Sequence, residues 1–219
     1  MPAAAPASYL APLTAQLEKQ WPANRTVRIV CHGHSVPSGY FRTPEIRPFD
    51  SYPHLLHRAL NERHPFAPIS VMVTAIGGEH SERGAGRFAA DVLSLKPDLV
   101  TIDYALNDRG IGLDRAAAAW TAMIGACAAA GVPVLLLTPT WASDAVDWTK
   151  PDDGDLAAHA RQIRALAERH GVGLADSSAA WLAYARAHGG WHELLSQINH
   201  PSRLGHDLVT RELLRWFPV

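Results

Sequence analysis

The feature that most constrains the fold is an alternation of short apolar runs with longer helix-like segments along the chain. The apolar runs are rich in Val, Ile and Leu and mostly end at Gly, Pro or polar residues. Continuous apolar runs of this length are typical of strands that are covered on both faces. They predict five strands, at residues 27–31, 69–76, 98–104, 132–138 and 172–177.

The segments between these runs carry apolar residues at helical spacing. Two of them end at Gly131 and Gly171, and a glycine is a common helix stop. The predicted helices cover residues 51–64, 81–96, 114–131, 155–171 and 202–217. Strands that alternate with helices imply βαβ units and a mostly parallel sheet. Because ligands of such sheets bind beyond the carboxyl ends of the strands, candidate site residues are sought there.

Length and composition indicate one globular domain. The 219 residues contain neither repeats nor a linker, so we predict a single domain over 1–219, in which residues 1–26 form a helical N-terminal extension. Hydrophobic residues make up 47% and charged residues 19%, which is enough apolar material for a sizeable core. A formal net charge of −1 argues against nucleic acid as the main partner. The oligomeric state stays open.

The termini and cysteines bear on the compartment. No apolar run is long enough to cross a bilayer, and the N-terminus has neither a basic segment nor a continuous apolar one. We therefore expect a soluble, cytoplasmic protein without a membrane partner, although a leader missing from the sequence would leave the same pattern. Cys31 and Cys127 lie in apolar stretches, which favours two buried free thiols. A Cys31 nucleophile is the weaker alternative, because a strand would bury it.

Three residues at successive strand ends and one histidine near the C-terminus combine into one catalytic pattern. Ser35 follows the first strand, Gly78 the second and Asn107 the third, and His200 lies just before the last helix. Taken alone, each has an ordinary explanation as a polar turn, a tight turn, a helix cap or a surface histidine. Together they supply a nucleophile, two oxyanion donors and a base, which are the groups that acyl transfer needs.

These residues resemble the SGNH, or GDSL, hydrolase family. The matching positions are Ser35 in GHS, Gly78 in IGGE, Asn107 in ALND and His200 in NHPSRLGH, and the resemblance runs from about Val27 to the C-terminus. It implies a flavodoxin-like three-layer α/β/α sandwich with a central parallel sheet of about five strands. It also implies ester hydrolysis through an acyl-enzyme, without a cofactor. Family members act on lipids, acetylated sugars, thioesters and aryl esters.

The sequence departs from the family pattern at three positions. His34 replaces the usual Asp before the nucleophile, Ala105 replaces a Gly, and Gln197 stands where the family has the Asp of its triad. The amide oxygen of Gln197 can accept the Nδ1 proton of His200 and fix its tautomer, but it cannot supply charge. A backbone carbonyl or Glu193 are alternative partners for His200, so we predict a Ser–His pair with Gln197 as a candidate third member.

The substrate follows less directly from the sequence. The loop at residues 37–50 is expected to shape the pocket, and Trp141 either reaches the pocket rim or packs under a loop. No long apolar lid is evident, which disfavours long-chain lipids. We therefore predict cleavage of a short-chain acyl ester of a small molecule or carbohydrate, with an acetyl group on a sugar preferred.

Two other classes of protein remain open. A non-catalytic or weakly active binding protein would keep the SGNH fold after losing the triad acid. A metal hydrolase is suggested by His32, His34 and His80, which lie near predicted strand ends. These histidines follow no recognised ligand spacing, and zinc needs three or four converging ligands, so no metal is expected.

Overall fold

The centre of the fold is a five-stranded sheet. The computed structural model describes residues 4–144 and 147–218. All neighbouring strands pair in parallel, in the order β2-β1-β3-β4-β5. The strands are β1 (Val27–Gly33), β2 (Ile69–Val73), β3 (Leu99–Asp103), β4 (Val134–Leu137) and β5 (Gly173–Ala175). Each of them falls on one of the five predicted apolar runs.

Helices cover the sheet on both faces. They are α1 (Pro6–Tyr9), α2 (Ala11–Leu17), α3 (Ser35–Ser38), α4 (Tyr52–Arg63), α5 (Ser81–Asp91), α6 (Ala105–Asp108), α7 (Leu113–Ala129), α8 (Asp155–His170), α9 (Ser177–His188) and α10 (Arg203–Leu214). Helices α4, α9 and α10 pack together in one layer, and α5, α7 and α8 pack in the other. The flavodoxin-like three-layer sandwich predicted from the sequence is confirmed.

Alternate strand residues face the two layers, because side chains of a strand point to opposite faces in turn. On β1, Ile29 and Cys31 belong to the apolar cluster beneath α4 and α10, whereas Val30 belongs to the cluster beneath α5 and α7. The same alternation holds for Leu135 and Leu136 on β4. Both faces are buried, which explains why these strands read as unbroken apolar runs.

The helix α9 was not predicted. Its start lies inside the apolar run at 172–177, which was assigned wholly to a strand, but β5 ends at Ala175. The carboxylate of Asp176 then accepts a hydrogen bond from the Ala179 N–H at 3.1 Å and caps the new helix. Strand β2 also ends three residues early, at Val73.

Both cysteines are buried free thiols, as predicted. Burial raises the pKa of Cys31 to about 12 and that of Cys127 to about 12. Cys31 is fully buried inside β1, where no substrate can reach its thiol, so the structure gives no support to the alternative of a Cys31 nucleophile. Within residues 4–144 and 147–218, no helix is both long and apolar enough to cross a bilayer.

Candidate active site

Ser35 lies at the carboxyl edge of the sheet, where β1 turns directly into α3. The turn depends on Gly33, since a Cβ there would overlap the backbone carbonyl of Asp103 and lie 2.9 Å from Cγ of Pro37. The close approach lets the His34 N–H donate to the Asp103 carbonyl at 3.2 Å. Ser35 is therefore the first residue of a short helix, with its hydroxyl near the end of the central strands.

His200 reaches Ser35 from the turn that precedes α10. Its Nε2 lies 3.1 Å from the Ser35 Oγ, a separation that allows proton transfer between a nucleophile and its base. The Ser196 hydroxyl secures this turn, with the carbonyl of His200 at 3.1 Å and that of Phe41 at 2.9 Å. Burial lowers the pKa of His200 more than the nearby Phe41 carbonyl raises it. A pKa below the ordinary 6.5 favours the neutral ring at neutral pH, which is the form that can accept a proton.

In the part of the chain that the structure describes, the other ring nitrogen of His200, Nδ1, lacks a hydrogen-bonded group that would orient the ring. Among the described residues, Nδ1 is buried and has no hydrogen-bond partner. The side chains considered as its partner face elsewhere. Gln197 accepts the backbone N–H of Thr43 through its amide oxygen at 3.0 Å, and Glu193 accepts the Tyr184 hydroxyl at 2.6 Å.

With both side chains directed elsewhere, a backbone carbonyl is the remaining candidate partner for Nδ1 of His200. The Phe41 carbonyl lies close enough to His200 to raise its pKa, but it already accepts the Ser196 hydroxyl and makes no well-formed bond to Nδ1. Phe41 belongs to the loop at residues 41–43. Three hydrogen bonds, donated by Ser196, Arg42 and Thr43, connect this loop to the turn that carries His200. The structure therefore shows a Ser–His pair whose nearest orienting group is uncharged.

Gly78 occupies a tight turn between β2 and α5. The Glu79 N–H donates to the Ile76 carbonyl at 3.2 Å, and Gly78 has a φ of +75°, a conformation that favours glycine at this position of a turn. Gly77 is needed for a different reason, because a Cβ there would lie 2.7 Å from the Tyr40 ring. In the described part of the chain, the Gly78 N–H has no hydrogen-bond acceptor, so it is free to bind an oxyanion.

Asn107 is held against the same turn. Its side-chain amide donates to the Glu79 carbonyl at 3.0 Å and keeps a second hydrogen available. The Glu79 carboxylate is itself buried and accepts the Tyr104 hydroxyl at 2.8 Å and the Arg87 guanidinium. Burial raises the pKa of Glu79, but these hydrogen bonds outweigh burial and hold it below its ordinary value. One residue thus fixes both Asn107 and the Gly78 turn.

Two of the three histidines considered as metal ligands, His32 and His34, make hydrogen bonds within the protein, whereas the buried Nδ1 of His80 has no partner among the described residues. His32 makes hydrogen bonds to the Thr74 hydroxyl at 2.9 Å and the Tyr104 hydroxyl at 3.0 Å, and burial lowers its pKa to about 4. The Nδ1 of His34 accepts the Val36 N–H at 3.1 Å. Over residues 4–144 and 147–218, no group of three or more His, Cys, Asp or Glu side chains is arranged to hold a metal ion.

Trp141 does not reach the pocket rim. It is 3% exposed, its indole N–H donates to the Ser178 carbonyl at 3.0 Å, and its ring stacks on Trp191. Of the two alternatives drawn from the sequence, packing under a loop is the one that the structure shows. The aromatic ring beside the base is instead Tyr40, whose centroid lies 5.7 Å from that of His200.

Sequence reasoning also missed Asp103. It is the last residue of β3, and its carboxylate lies 3.3 Å from the Nε2 of His34. An acidic residue that ends a buried strand at the carboxyl edge was the available signal. Glu79 and Tyr104 were equally visible beside the predicted site, but nothing in the spacing showed that they contact each other.

Three solved structures show the same fold. An acetylxylan esterase, Axe2, from Geobacillus stearothermophilus is 20% identical, covers 88% of this chain and 94% of its own, and has a TM-score of 0.74. A two-domain esterase, CEX, active on acetylated mannans is 18% identical, with 95% of this chain and 52% of that chain covered and a TM-score of 0.76. LAE5, an alpha/beta hydrolase from the metagenome of Lake Arreo, Spain, is 21% identical, covers 87% and 94%, and has a TM-score of 0.72.

The family is established by sequence. No curated protein matches the chain at a significant level. The profile of the GDSL-like lipase/acylhydrolase family, however, matches residues 31–208, which is most of the chain and includes Ser35, Gly78, Asn107 and His200. The chain therefore belongs to the GDSL-like lipase/acylhydrolase family and is a carboxylic ester hydrolase.

Proposed function

We propose that the protein cleaves a short-chain acyl ester, preferably an acetyl group on a carbohydrate, through an acyl-enzyme on Ser35. The observation that carries this proposal is the 3.1 Å separation between the Ser35 Oγ and the Nε2 of His200. A neutral imidazole at this distance can take the hydroxyl proton as the oxygen attacks the ester carbonyl.

The reaction balances with these two residues and water. The Ser35 O–H bond breaks, its proton moves to Nε2 of His200, and Oγ bonds to the carbonyl carbon. His200 then gives this proton to the leaving alcohol as the ester C–O bond breaks. In deacylation, water gives a proton to His200 and its oxygen attacks the acyl carbon. The proton returns to Oγ as the carboxylic acid leaves.

The tetrahedral oxyanion would be stabilised by three donors: the backbone N–H groups of Ser35 and Gly78 and the side-chain amide of Asn107. Two arguments support this set. Within the described residues, neither backbone N–H is occupied, and Asn107 is fixed by its hydrogen bond to the Glu79 carbonyl. Each such donor typically contributes about 100- to 1,000-fold to the rate.

The imidazolium that forms on His200 would have only weak support. The Phe41 carbonyl can orient the ring through Nδ1, but it carries no charge to stabilise the cation. Gln197 is proposed to act on His200 indirectly, because it fixes the loop that carries this carbonyl through Thr43. We therefore expect a modest turnover for an enzyme of this type.

Two observations support a short acyl group. The segment between α3 and α4 contains one 3₁₀ turn, Pro48–Asp50, and an isolated β-bridge between Tyr40 and Ile46, so it offers no lid helix to cover a long chain. The structural neighbours named above include esterases described as acting on acetylated xylan and acetylated mannans.

The competing function is that of a binding protein that keeps the fold without turnover. The unpartnered Nδ1 of His200 favours it, because an imidazole without an orienting carboxylate is a weaker base. Hydrolysis separates the two functions, since a binding protein would release no acid from any ester.

The test is hydrolysis of p-nitrophenyl acetate by wild type and by the Ser35→Ala and His200→Ala variants. We expect both variants to lose at least about 1,000-fold in kcat. Ser38→Ala is the matched control, since this serine lies in the same short helix and its hydroxyl donates to the His34 carbonyl. Turnover that survives in Ser35→Ala would refute the proposed nucleophile.

Substrate class is tested with the same enzyme. With a common leaving group, kcat/KM for p-nitrophenyl acetate should exceed that for p-nitrophenyl octanoate, and acetate should be released from acetylated xylo-oligosaccharides. A preference for the octanoate over p-nitrophenyl acetate would overturn the short-chain assignment while leaving the serine mechanism intact.

A further inference from the structure

We propose that Asp103 and His34 form a positioning pair that holds Ser35 in place, where the family carries a single Asp before its nucleophile. This inference rests on the proposed role of Ser35 and adds two residues to it. Neither has a part in the Ser35–His200 proton transfer described above.

The pair is buried and continuous with the nucleophile. The side chains of His34 and Asp103 are 1% and 5% exposed, and Nε2 of His34 lies 3.3 Å from Oδ1 of Asp103. On the other side of the ring, Nδ1 accepts the Val36 N–H at 3.1 Å and lies 3.5 Å from the Ser35 Oγ. The Asp103 carboxylate, the His34 imidazole and the Ser35 hydroxyl therefore form one row of contacts, in which His34 lies between the other two groups.

The hydrogen bond to Val36 settles the tautomer of His34. Because Nδ1 accepts an N–H, it carries no hydrogen of its own, and the hydrogen of the neutral ring must be on Nε2. That hydrogen lies beside the Asp103 carboxylate, 3.3 Å from Nε2, without a well-formed hydrogen bond among the described residues, and the negative charge of the carboxylate favours the same tautomer electrostatically. Asp103 thus keeps the Nδ1 lone pair directed at the first turn of α3, where both Val36 and Ser35 lie.

The hydrogen bond to the Val36 N–H gives His34 a positioning role and prevents it from acting as a second base. A proton on Nδ1 would break the bond to the Val36 N–H and place two N–H groups against each other. His200 carries no such restriction, and its Nε2 is also closer to the Ser35 Oγ, at 3.1 Å against 3.5 Å. The proton of Ser35 therefore goes to His200, while His34 fixes the start of the helix that carries the hydroxyl.

The pair matters because α3 is short. It has four residues, Ser35–Ser38, and ends at Gly39 with a φ of +83°. The N-cap bond from His34 to the Val36 N–H is the side-chain contact that fixes its first turn. A shift of this turn would move the Ser35 Oγ away from His200, and such misplacement lowers kcat without changing substrate contacts.

The test is a double-mutant cycle with Asp103→Asn, His34→Ala and the double variant, assayed on p-nitrophenyl acetate. Ala at position 34 removes both the contact with Asp103 and the cap of α3. We expect each single variant to lose about 10- to 100-fold in kcat with KM within about twofold. The double variant should lose no more than His34→Ala, because both changes interrupt one row. His34→Asn, which can cap α3 without help from Asp103, should recover part of the loss. Single variants with wild-type kcat, or losses that multiply, would overturn the proposal.

A measurement independent of activity keeps this test separate from that of the proposed function. The ¹⁵N shifts of the His34 ring in the wild-type protein report its tautomer directly, with hydrogen expected on Nε2 and none on Nδ1. The Nδ1–H tautomer would overturn the pair, whether or not the protein turns over an ester. A wild type that shows the expected tautomer but hydrolyses nothing would instead refute the proposed function.

Discussion

Replacing Gln197 with Asp should raise the activity of this enzyme. The Nδ1 of His200 is buried without a hydrogen-bond partner in the described residues, and Gln197 lies three residues before it in the chain. The Gln197 amide oxygen now accepts the Thr43 N–H at 3.0 Å. An Asp side chain is one methylene shorter, so it withdraws from Thr43 and brings a carboxylate into the turn that carries His200.

The size of the gain follows from the change of acceptor beside Nδ1 of His200 as the ring becomes charged. A hydrogen bond to a charged group is worth about 1.5–3 kcal/mol, and one to a neutral group such as the Phe41 carbonyl about 0.5–1.5 kcal/mol. The bond to Thr43 is lost in the ground state and the transition state alike, so its loss lowers stability and not kcat. The net of about 1 kcal/mol in transition-state stabilisation is roughly a fivefold increase in kcat. The new negative charge also raises the pKa of His200, so the acid limb of kcat/KM should move to higher pH.

The assay is p-nitrophenyl acetate hydrolysis across a pH series, with Gln197→Asn as the matched control. Asn has the size of Asp without its charge, so it should lose the Thr43 bond and gain nothing. Equal kcat in the two variants, with the acid limb unmoved, would refute the reasoning. The Phe41 carbonyl would then be a sufficient partner for His200.

Three further predictions concern the oxyanion donor, the base and the fold. Asn107→Ala should lower kcat about 100- to 1,000-fold with little change in KM, as steady-state kinetics on p-nitrophenyl acetate will show. Burial holds the pKa of His200 below its ordinary 6.5, and the base works only when unprotonated, so kcat/KM should stay flat as pH falls until below 6.5. Gly84→Ala should lower the free energy of unfolding, measured with urea, by about 1–3 kcal/mol, because its Cβ would overlap the buried Tyr104 hydroxyl. Gly86→Ala is the control in the same helix; it has open space around its Cβ and should leave the free energy of unfolding unchanged or raise it.

The fold was predictable because burial leaves a clear pattern. A parallel sheet covered on both faces needs unbroken apolar strands, and runs such as VRIVC and VPVLLLT show that need directly. The boundaries were less accurate where a strand passes into a helix without a break. At 172–177 the apolar pattern continues through both β5 and the start of α9, and only the capping contact of Asp176 separates them.

The site was predictable to the extent that topology collects strand ends at one edge. The four residues Ser35, Gly78, Asn107 and His200 were selected on that basis, and the structure places Ser35 against His200. Contacts between side chains were not predictable. The spacing gave Gln197 as a neighbour of His200, but its amide oxygen bonds to Thr43, because loop 41–43 packs against the turn.

The Asp103–His34 contact was hidden for a similar reason. Its partners lie at the ends of two adjacent strands, far apart in the chain, and a strand-end carboxylate has several possible neighbours. Only the register of β1 with β3, in which Gly33 is opposite Asp103, brings the next residue, His34, beside the carboxylate.

The central claim is that Ser35 is a nucleophile activated by His200. The most direct measurement is intact-mass analysis after treatment with a fluorophosphonate, followed by peptide mapping. We expect one adduct per chain, located on Ser35, absent in Ser35→Ala and formed much more slowly in His200→Ala. An adduct on another residue, or an unlabelled wild type under conditions that label a control serine esterase, would contradict it.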